Sequence, residues 1–303
     1  MGATAVRRPR ADVADLVRID DLRPITTTMQ EHFSLDDFYD AYPRIEDEFQ
    51  AALDVSLRPR GPDLLYELVD GLGMPAGSRA VDVGCGEGGH TLRLAERFGF
   101  VVTGIDPVPR HVDLAREALA GWRAGLGDRV GFALGVAEAL PVDDASVDLV
   151  WCRDVLVHVA DVGRAYREFR RVLRPSGRAL VYQMFATERL EPREAASLWA
   201  TMGGVAASAD QDHAERAMAD AGLRVDRRVD IGTEWGEWGE ERTGAAGRRL
   251  LHAARLLRAP ERYVAQFGQA AYEIMLSDAL WHVYGMIGKL TRRAYVLSAA
   301  QED

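Results

Sequence analysis

From Arg79 to Ser298 the chain alternates short apolar runs with amphipathic stretches. Apolar runs at 80–84, 101–105, 130–135, 147–152 and 178–185 read as strands, and helical spacing fills 89–98, 109–121 and 161–173 between them. Two more runs, 222–231 and 292–298, bring the predicted strands to seven. Apolar strands separated by helices predict an α/β fold, a parallel sheet covered by helices on both faces.

Two stretches fall outside this alternation. Residues 1–30 are charged and weakly periodic and are expected to be loose. From Leu35 to Leu57 the apolar positions Phe38, Tyr42, Ile45, Phe49, Ala52 and Leu53 recur at helical spacing, with Ser34 or Asp36 as cap. Pro43 inside that pattern predicts a kink or a break between two helices. Gly61-Pro62 then opens a helix over 63–72. Between the last two strands, 232–290 is too long for a structureless loop, and its pattern predicts helices at 241–258, 260–268 and 270–287. The resulting division is an N-terminal helical cap (1–60), a core (61–231), a helical lid insertion (232–290) and a last strand with tail (291–303). Cap and insertion together are expected to cover the ends of the strands.

The chemistry concentrates where the first strand ends. Val81-Asp82-Val83-Gly84-Cys85-Gly86-Glu87-Gly88-Gly89 is a strand running into a glycine turn and a helix, a unit that lets backbone approach a ligand and points helix N–H groups at it. Gly84, Gly86 and Gly89 also satisfy the dinucleotide pattern GxGxxG. Asp82, two residues before the first glycine, would repel a pyrophosphate but suits a cationic ammonium or sulfonium group. The segment resembles the first motif of class I S-adenosylmethionine (SAM)-dependent methyltransferases. That resemblance implies a mostly parallel seven-stranded sheet with its last strand antiparallel, and SAM as cofactor.

Further segments extend the resemblance over about residues 61–186. Asp106-Pro107 ends the second strand about 20 residues beyond the glycine loop, where an acid accepts hydrogen bonds from ribose hydroxyls; Asp106 could also cap helix 109–121. Gly135 to Pro141 resembles the segment that reads adenine, but Val136 stands where the family carries an aspartate, leaving the Ala137 backbone, Glu138 or packing to do so. Trp151 to His158 is delivered by the fourth strand, with Cys152 and Arg153 expected along the methionine portion. Arg171 to Gly177 resembles the turn before the fifth strand. The cofactor set is therefore Asp82, Gly84, Cys85, Gly86, Asp106, Pro107, Ala137, Glu138, Cys152 and Arg153. Arg58 and Arg60 are candidates for the methionine carboxylate or for plain solvation.

For the acceptor, aromatic residues of the insertion and the cap, Tyr39, Trp235, Trp238, Trp281 and Tyr284 among them, either glue lid to core or line a pocket. Glu234 to Trp238 either receives a cation or starts a helix with its acids on the dipole. Candidate bases are His158, which also reads as a structural residue, and His282, paired at i, i+4 with Asp278; His32 and His213 are weaker.

Composition narrows the partners. A net charge of −10, with Lys289 the only lysine, argues against nucleic acid. No apolar run is long enough to span a membrane, the start lacks a secretory signal, and two cysteines make neither a disulfide framework nor a cysteine-built zinc site. The expected protein is cytoplasmic and metal-free, transferring a methyl group to O, N or C of a small molecule. An NAD(P)-dependent oxidoreductase using the same glycine loop and a non-catalytic SAM-binding protein are the alternatives.

Overall fold

A computed structural model describes residues 34–122, 125, 126 and 128–300. The expectation for residues 1–30 and the candidate His32 lie outside them. The chain divides into two compact units, Met1–Ser56 and Leu57–Asp303. The first holds α1 (Leu35–Leu53), one helix with Pro43 inside it where a kink or break was expected. Proline's φ is compatible with helix, and the helix continues past it.

In the second unit the elements run α2 (Leu64–Asp70), β1 (Arg79–Val83), α3 (Gly89–Phe98), β2 (Val101–Asp106), α4 (Pro109–Gly121), β3 (Val130–Leu134), β4 (Val147–Arg153), α5 (Val162–Val172) and β5 (Leu173–Ala186). They continue with α6 (Pro192–Met202), α7 (Gln211–Asp220), β6 (Leu223–Asp230), α8 (Glu234–Thr243), α9 (Ala245–Arg258), α10 (Pro260–Phe267), α11 (Gln269–Met286) and β7 (Leu290–Ala299). The seven strands form one sheet in the order β3-β2-β1-β4-β5-β7-β6. β1 to β5 pair in parallel, while β7 lies antiparallel between β5 and β6.

Alternation along the central strands produces two cores. On β4, Val150 and Cys152 join a cluster with Tyr166, Phe169 and Met218 from α5 and α7. Leu149 and Trp151 join the opposite cluster with Leu65, Leu92 and Leu94 from α2 and α3. Side chains on successive strand residues point to opposite faces, so both faces of β4 are dry and its apolar run is unbroken. The strand order reverses between β1 and β4, and ligands bind such sheets beyond the carboxyl ends of the strands at that point.

The insertion is helical, with four helices where three were expected. A break at Gly244, which caps α8 in the left-handed region (φ 66°), splits the helix predicted at 241–258.

Candidate functional site

Three strand ends, Val83, Asp106 and Arg153, converge on the glycine loop. Gly84 and Gly86 take left-handed backbone, φ 71° and 52°. A Cβ on Gly84 would stand 2.2 Å from a Val155 methyl, whereas one on Gly86 would meet nothing within 4 Å. The loop thus packs tightly on one side and leaves its backbone open on the other.

That open side belongs to a cleft of about 520 Å³, whose wall includes Gly84, Gly86, Asp106, Pro107, Ala137 and Glu138. Asp106 holds the loop in place: its Oδ2 accepts from Gly86 N and its Oδ1 from Val108 N, both at 2.9 Å, with His111 Nδ1 at 3.1 Å from Oδ1. A carboxylate offers about four acceptor sites, so two backbone bonds leave capacity for ribose hydroxyls. Val136, Ile105 and Val155 add apolar wall for a base. The cleft fits an adenosyl group: an acid at one strand end, exposed loop backbone and an apolar slot.

Other expected cofactor residues lie elsewhere. Asp82 is buried off the cleft wall, its Oδ2 accepting from Thr91 Oγ1 at 2.6 Å. Burial pushes its carboxyl up to about 7, against the Thr91 hydrogen bonds. It ties β1 to α3 beneath the loop rather than touching a ligand from the wall. Cys85 and Cys152 are also buried off the wall, and burial raises both thiols. Their small side chains fill the core behind the loop and do not line the cleft as expected. Arg153 lines a second cavity instead of the cleft.

This second cavity, about 340 Å³, lies between the ends of β4, β5 and β7 and the lid helices α8, α9 and α11. Trp235, Trp238, Trp281 and His282 line it. Trp235 stacks on Tyr182, centroids 4.4 Å apart and planes at 12°. Gly61 lets Trp238 approach, since a Cβ there would stand 2.5 Å from its indole nitrogen. Tyr284 is off the wall: it packs beside Trp199 and Leu290, under the Lys289 ammonium, which pairs with Glu194. Tyr39 lies on α1 in the other unit.

The Glu234 to Trp238 segment is a helix start, with Glu234 and Glu237 in the first turn of α8. Glu234 is engaged by Arg60, whose N and Nε both donate to Oε2 at 2.8 and 2.7 Å. Arg60 therefore staples the lid to the start of the core and is not placed for a methionine carboxylate.

Between the cavities stands Asp154, which lines both. It holds left-handed backbone (φ 58°), an uncommon conformation that aspartate tolerates better than most residues, and its N–H donates to Tyr182 O at 3.1 Å. Solvent reaches 43% of its side chain, and desolvation by the surrounding elements raises its pKa. The charges of Arg153 and Arg292, followed by those of His158 and His282, oppose the rise.

The two candidate bases sit on opposite sides of it. His158 is on the cleft wall and its Nδ1 donates to Gly203 O at 3.1 Å, leaving Nε2 as acceptor. His282 is on the second cavity's wall and its Nδ1 donates to Asp278 O at 2.8 Å. The expected carboxylate–imidazole dyad does not form: Asp278 Oδ1 is 3.8 Å from His282, and Arg249 takes the carboxylate. His213, on α7, lines neither cavity.

Sequence reading passed over Asp154 and Arg292. Nothing in a sequence announces the left-handed turn at Asp154. Arg292 did leave a signal, a charge in register with the inward-facing Leu290 and Ala294.

Comparison with known proteins agrees with this geometry. Residues 81–181 match the family model of a methyltransferase domain. The 27-O-demethylrifamycin SV methyltransferase of Amycolatopsis mediterranei (strain S699) is 32% identical over 187 residues, 60% of this chain and 68% of that protein. Methyltransferase GfsG of Streptomyces halstedii is 35% identical over 125 residues, 41% of this chain and only 44% of the relative's length. Among solved structures, the [4+2]-cyclase SpnF superposes with a TM-score of 0.62 at 20% identity, covering 87% of this chain and 96% of that one. Geranyl diphosphate C-methyltransferase from Streptomyces coelicolor A3(2) gives 0.58 at 19% identity, covering 78% of each. At these identities the structural likeness speaks for the fold alone.

Proposed function

Because the chain belongs to the class I SAM-dependent methyltransferase family, we propose that it transfers a methyl group from SAM, held in the glycine-loop cleft, to O or N of a small molecule in the aromatic cavity beneath the lid. One observation carries this reading: Asp154 lines the donor cleft and the lid cavity alike, so a donor in one and an acceptor in the other meet at a single carboxylate.

When bound, SAM supplies an electrophilic methyl carbon whose transfer leaves a neutral thioether. The protein's part is to hold, align and keep dry. Gly84 and Gly86 bring backbone to the donor, Asp106 takes its ribose hydroxyls, and Ala137, Glu138 and the Val136 side chain border the adenine slot. Asp82 sets the loop from below. Trp235, Trp238 and Trp281 exclude water from the acceptor side. A hydroxyl or ammonium acceptor must shed a proton, and Asp154, with its raised pKa, is the group placed to take it; His158 and His282 flank it as secondary candidates.

The test is to incubate the full chain with methyl-labelled SAM and a metabolite extract of its source and to follow the label by mass spectrometry. Label in a small molecule supports the reading. SAM binding with no transfer to any fraction would favour the non-catalytic alternative.

A further inference from the structure

The lid cavity holds a buried arginine. Arg292, on β7, is 6% exposed, lines the cavity and forms no ion pair among the described residues. Its Nη1 reaches the carbonyls of Gly232 and Gly285, at 3.3 and 3.5 Å, and the guanidinium also meets the Tyr182 hydroxyl. Both carbonyl contacts are long for N–H···O bonds. The guanidinium sits directly on Gly285, where a Cβ would come within 2.3 Å of Nη2, so the helix is cut back to admit it.

Two further donors on cavity-lining side chains lack partners: Arg153 Nε and Trp235 Nε1 are buried and make no hydrogen bond among the described residues. Guanidinium and indole N–H groups can only donate. What is missing around this cavity is acceptor oxygen. A buried charge without a partner is costly, and the cost is recovered when a counter-charge arrives.

The charge balance sets the size of that counter-charge. Asp154, 3.7 Å from Arg153, is one carboxylate facing the charges of both Arg153 and Arg292, and Arg249 is paired with Asp278. Arg292 is left over as one net positive charge on the wall, which calls for a monoanion rather than a doubly charged phosphate. Its planar fork matches a carboxylate. The rest of the wall, Trp235 on Tyr182 with Trp238 and Trp281, is aromatic.

We propose that Arg292 is the anion-recognition point of the lid cavity, and that the methyl acceptor is an aromatic or otherwise apolar molecule bearing one carboxylate. This rests on the lid cavity being the acceptor site, and names the class of molecule it selects.

The test titrates the full chain, with saturating S-adenosylhomocysteine, by calorimetry against 3-phenylpropanoate, its primary amide and phenyl phosphate. The acid is expected to bind at least about tenfold tighter than the amide, as a charge-assisted bidentate pair would give, and phenyl phosphate no tighter than the acid. Arg292→Met should abolish the acid's preference while leaving S-adenosylhomocysteine affinity in place. Arg292→Lys should keep part of it. Equal binding of acid and amide, binding of neither, or a preference surviving in Arg292→Met would overturn the proposal. So would tighter binding of phenyl phosphate, which would assign the site to a phosphate. If Arg292→Met does not fold, the wild-type comparison of acid with amide and the lysine variant still decide. Failure of S-adenosylhomocysteine to bind would instead strike the donor reading; the acid–amide comparison, repeated without it, tests the anion site separately.

Discussion

Arg153 Nη1 lies 2.5 Å from His90 Nε2, so the imidazole must accept there, be neutral, and carry its proton on Nδ1, 2.5 Å from the Tyr66 hydroxyl. This chain links the lid cavity to the start of α3, and the ring also packs against Tyr66 and Trp151. His90→Gln, which can still accept from Arg153 and donate to Tyr66, should fold near wild type. His90→Ala should lose about 1–3 kcal/mol, read from denaturant melts. Equal stability of the two variants would remove the relay from the structure's supports.

The pH dependence of stability follows from His90 and Asp82, whose shifts act in opposite directions. Burial, then the charge of Arg153, depresses His90 to about 4. The unfolded chain takes up this proton below 6.5 and the folded one does not, so stability is lost as pH falls from 6.5 to 4. Asp82, raised to about 7 by burial, is protonated when folded and ionised when unfolded. Its contribution is full below the ordinary aspartate value and is lost as pH rises through 7. In the wild type the two trends oppose each other between pH 4 and 6.5. Asp82→Asn keeps an acceptor for Thr91 but cannot titrate. Relative to wild type it should therefore gain stability from pH 5 to pH 8, and by itself lose up to about 3 kcal/mol between pH 6.5 and 4. Parallel stability curves for the two proteins would show that Asp82 does not titrate as inferred.

Gly84 is the loop position where a side chain costs most. Gly84→Ala meets both a left-handed backbone and the Val155 methyl at 2.2 Å. We expect a stability loss of about 1–3 kcal/mol and at least about tenfold weaker S-adenosylhomocysteine binding. Adding Val155→Ala should restore part of the stability, because it removes the clash and leaves the backbone strain. No restoration in the double variant would place the cost elsewhere.

Asp154→Asn separates chemistry from binding. With an acceptor that arrives protonated, kcat should fall about 100-fold or more, the usual worth of a placed base, while S-adenosylhomocysteine affinity stays within about twofold. A loss of affinity with kcat unchanged would make Asp154 a donor-binding residue instead.

Much of this was legible in the chain. The central strand β4, α3 and α4 announced themselves through an apolar run and helical spacing, because a strand dry on both faces has no other composition available. The glycine loop and Asp106 on the cleft wall were legible because close backbone approach demands glycine, and an acid at the next strand end stands at a recognisable spacing from it. The lid's aromatics could be counted but not aimed. Trp281 lines the cavity and also meets Trp199 of α6, while Tyr284 lies beside Lys289, which pairs with Glu194 95 positions away, contacts that no local pattern carries. Asp278 and His282 looked like a dyad at i, i+4 until Arg249, from another helix, took the carboxylate. Asp82 was read as an acid facing a cationic group, but it lies off the cleft wall, and its burial under Thr91, and with it the raised pKa, is a property of packing that spacing does not carry.

Asp106 and the choice of cofactor offer the sharpest test. Calorimetric titration of the wild type and of Asp106→Ala with S-adenosylhomocysteine and with NAD should give saturable S-adenosylhomocysteine binding, weakened at least about tenfold by the substitution, and no comparable NAD binding. Preference for NAD, or S-adenosylhomocysteine affinity unchanged in Asp106→Ala, would contradict a methyl-donor site at the glycine loop.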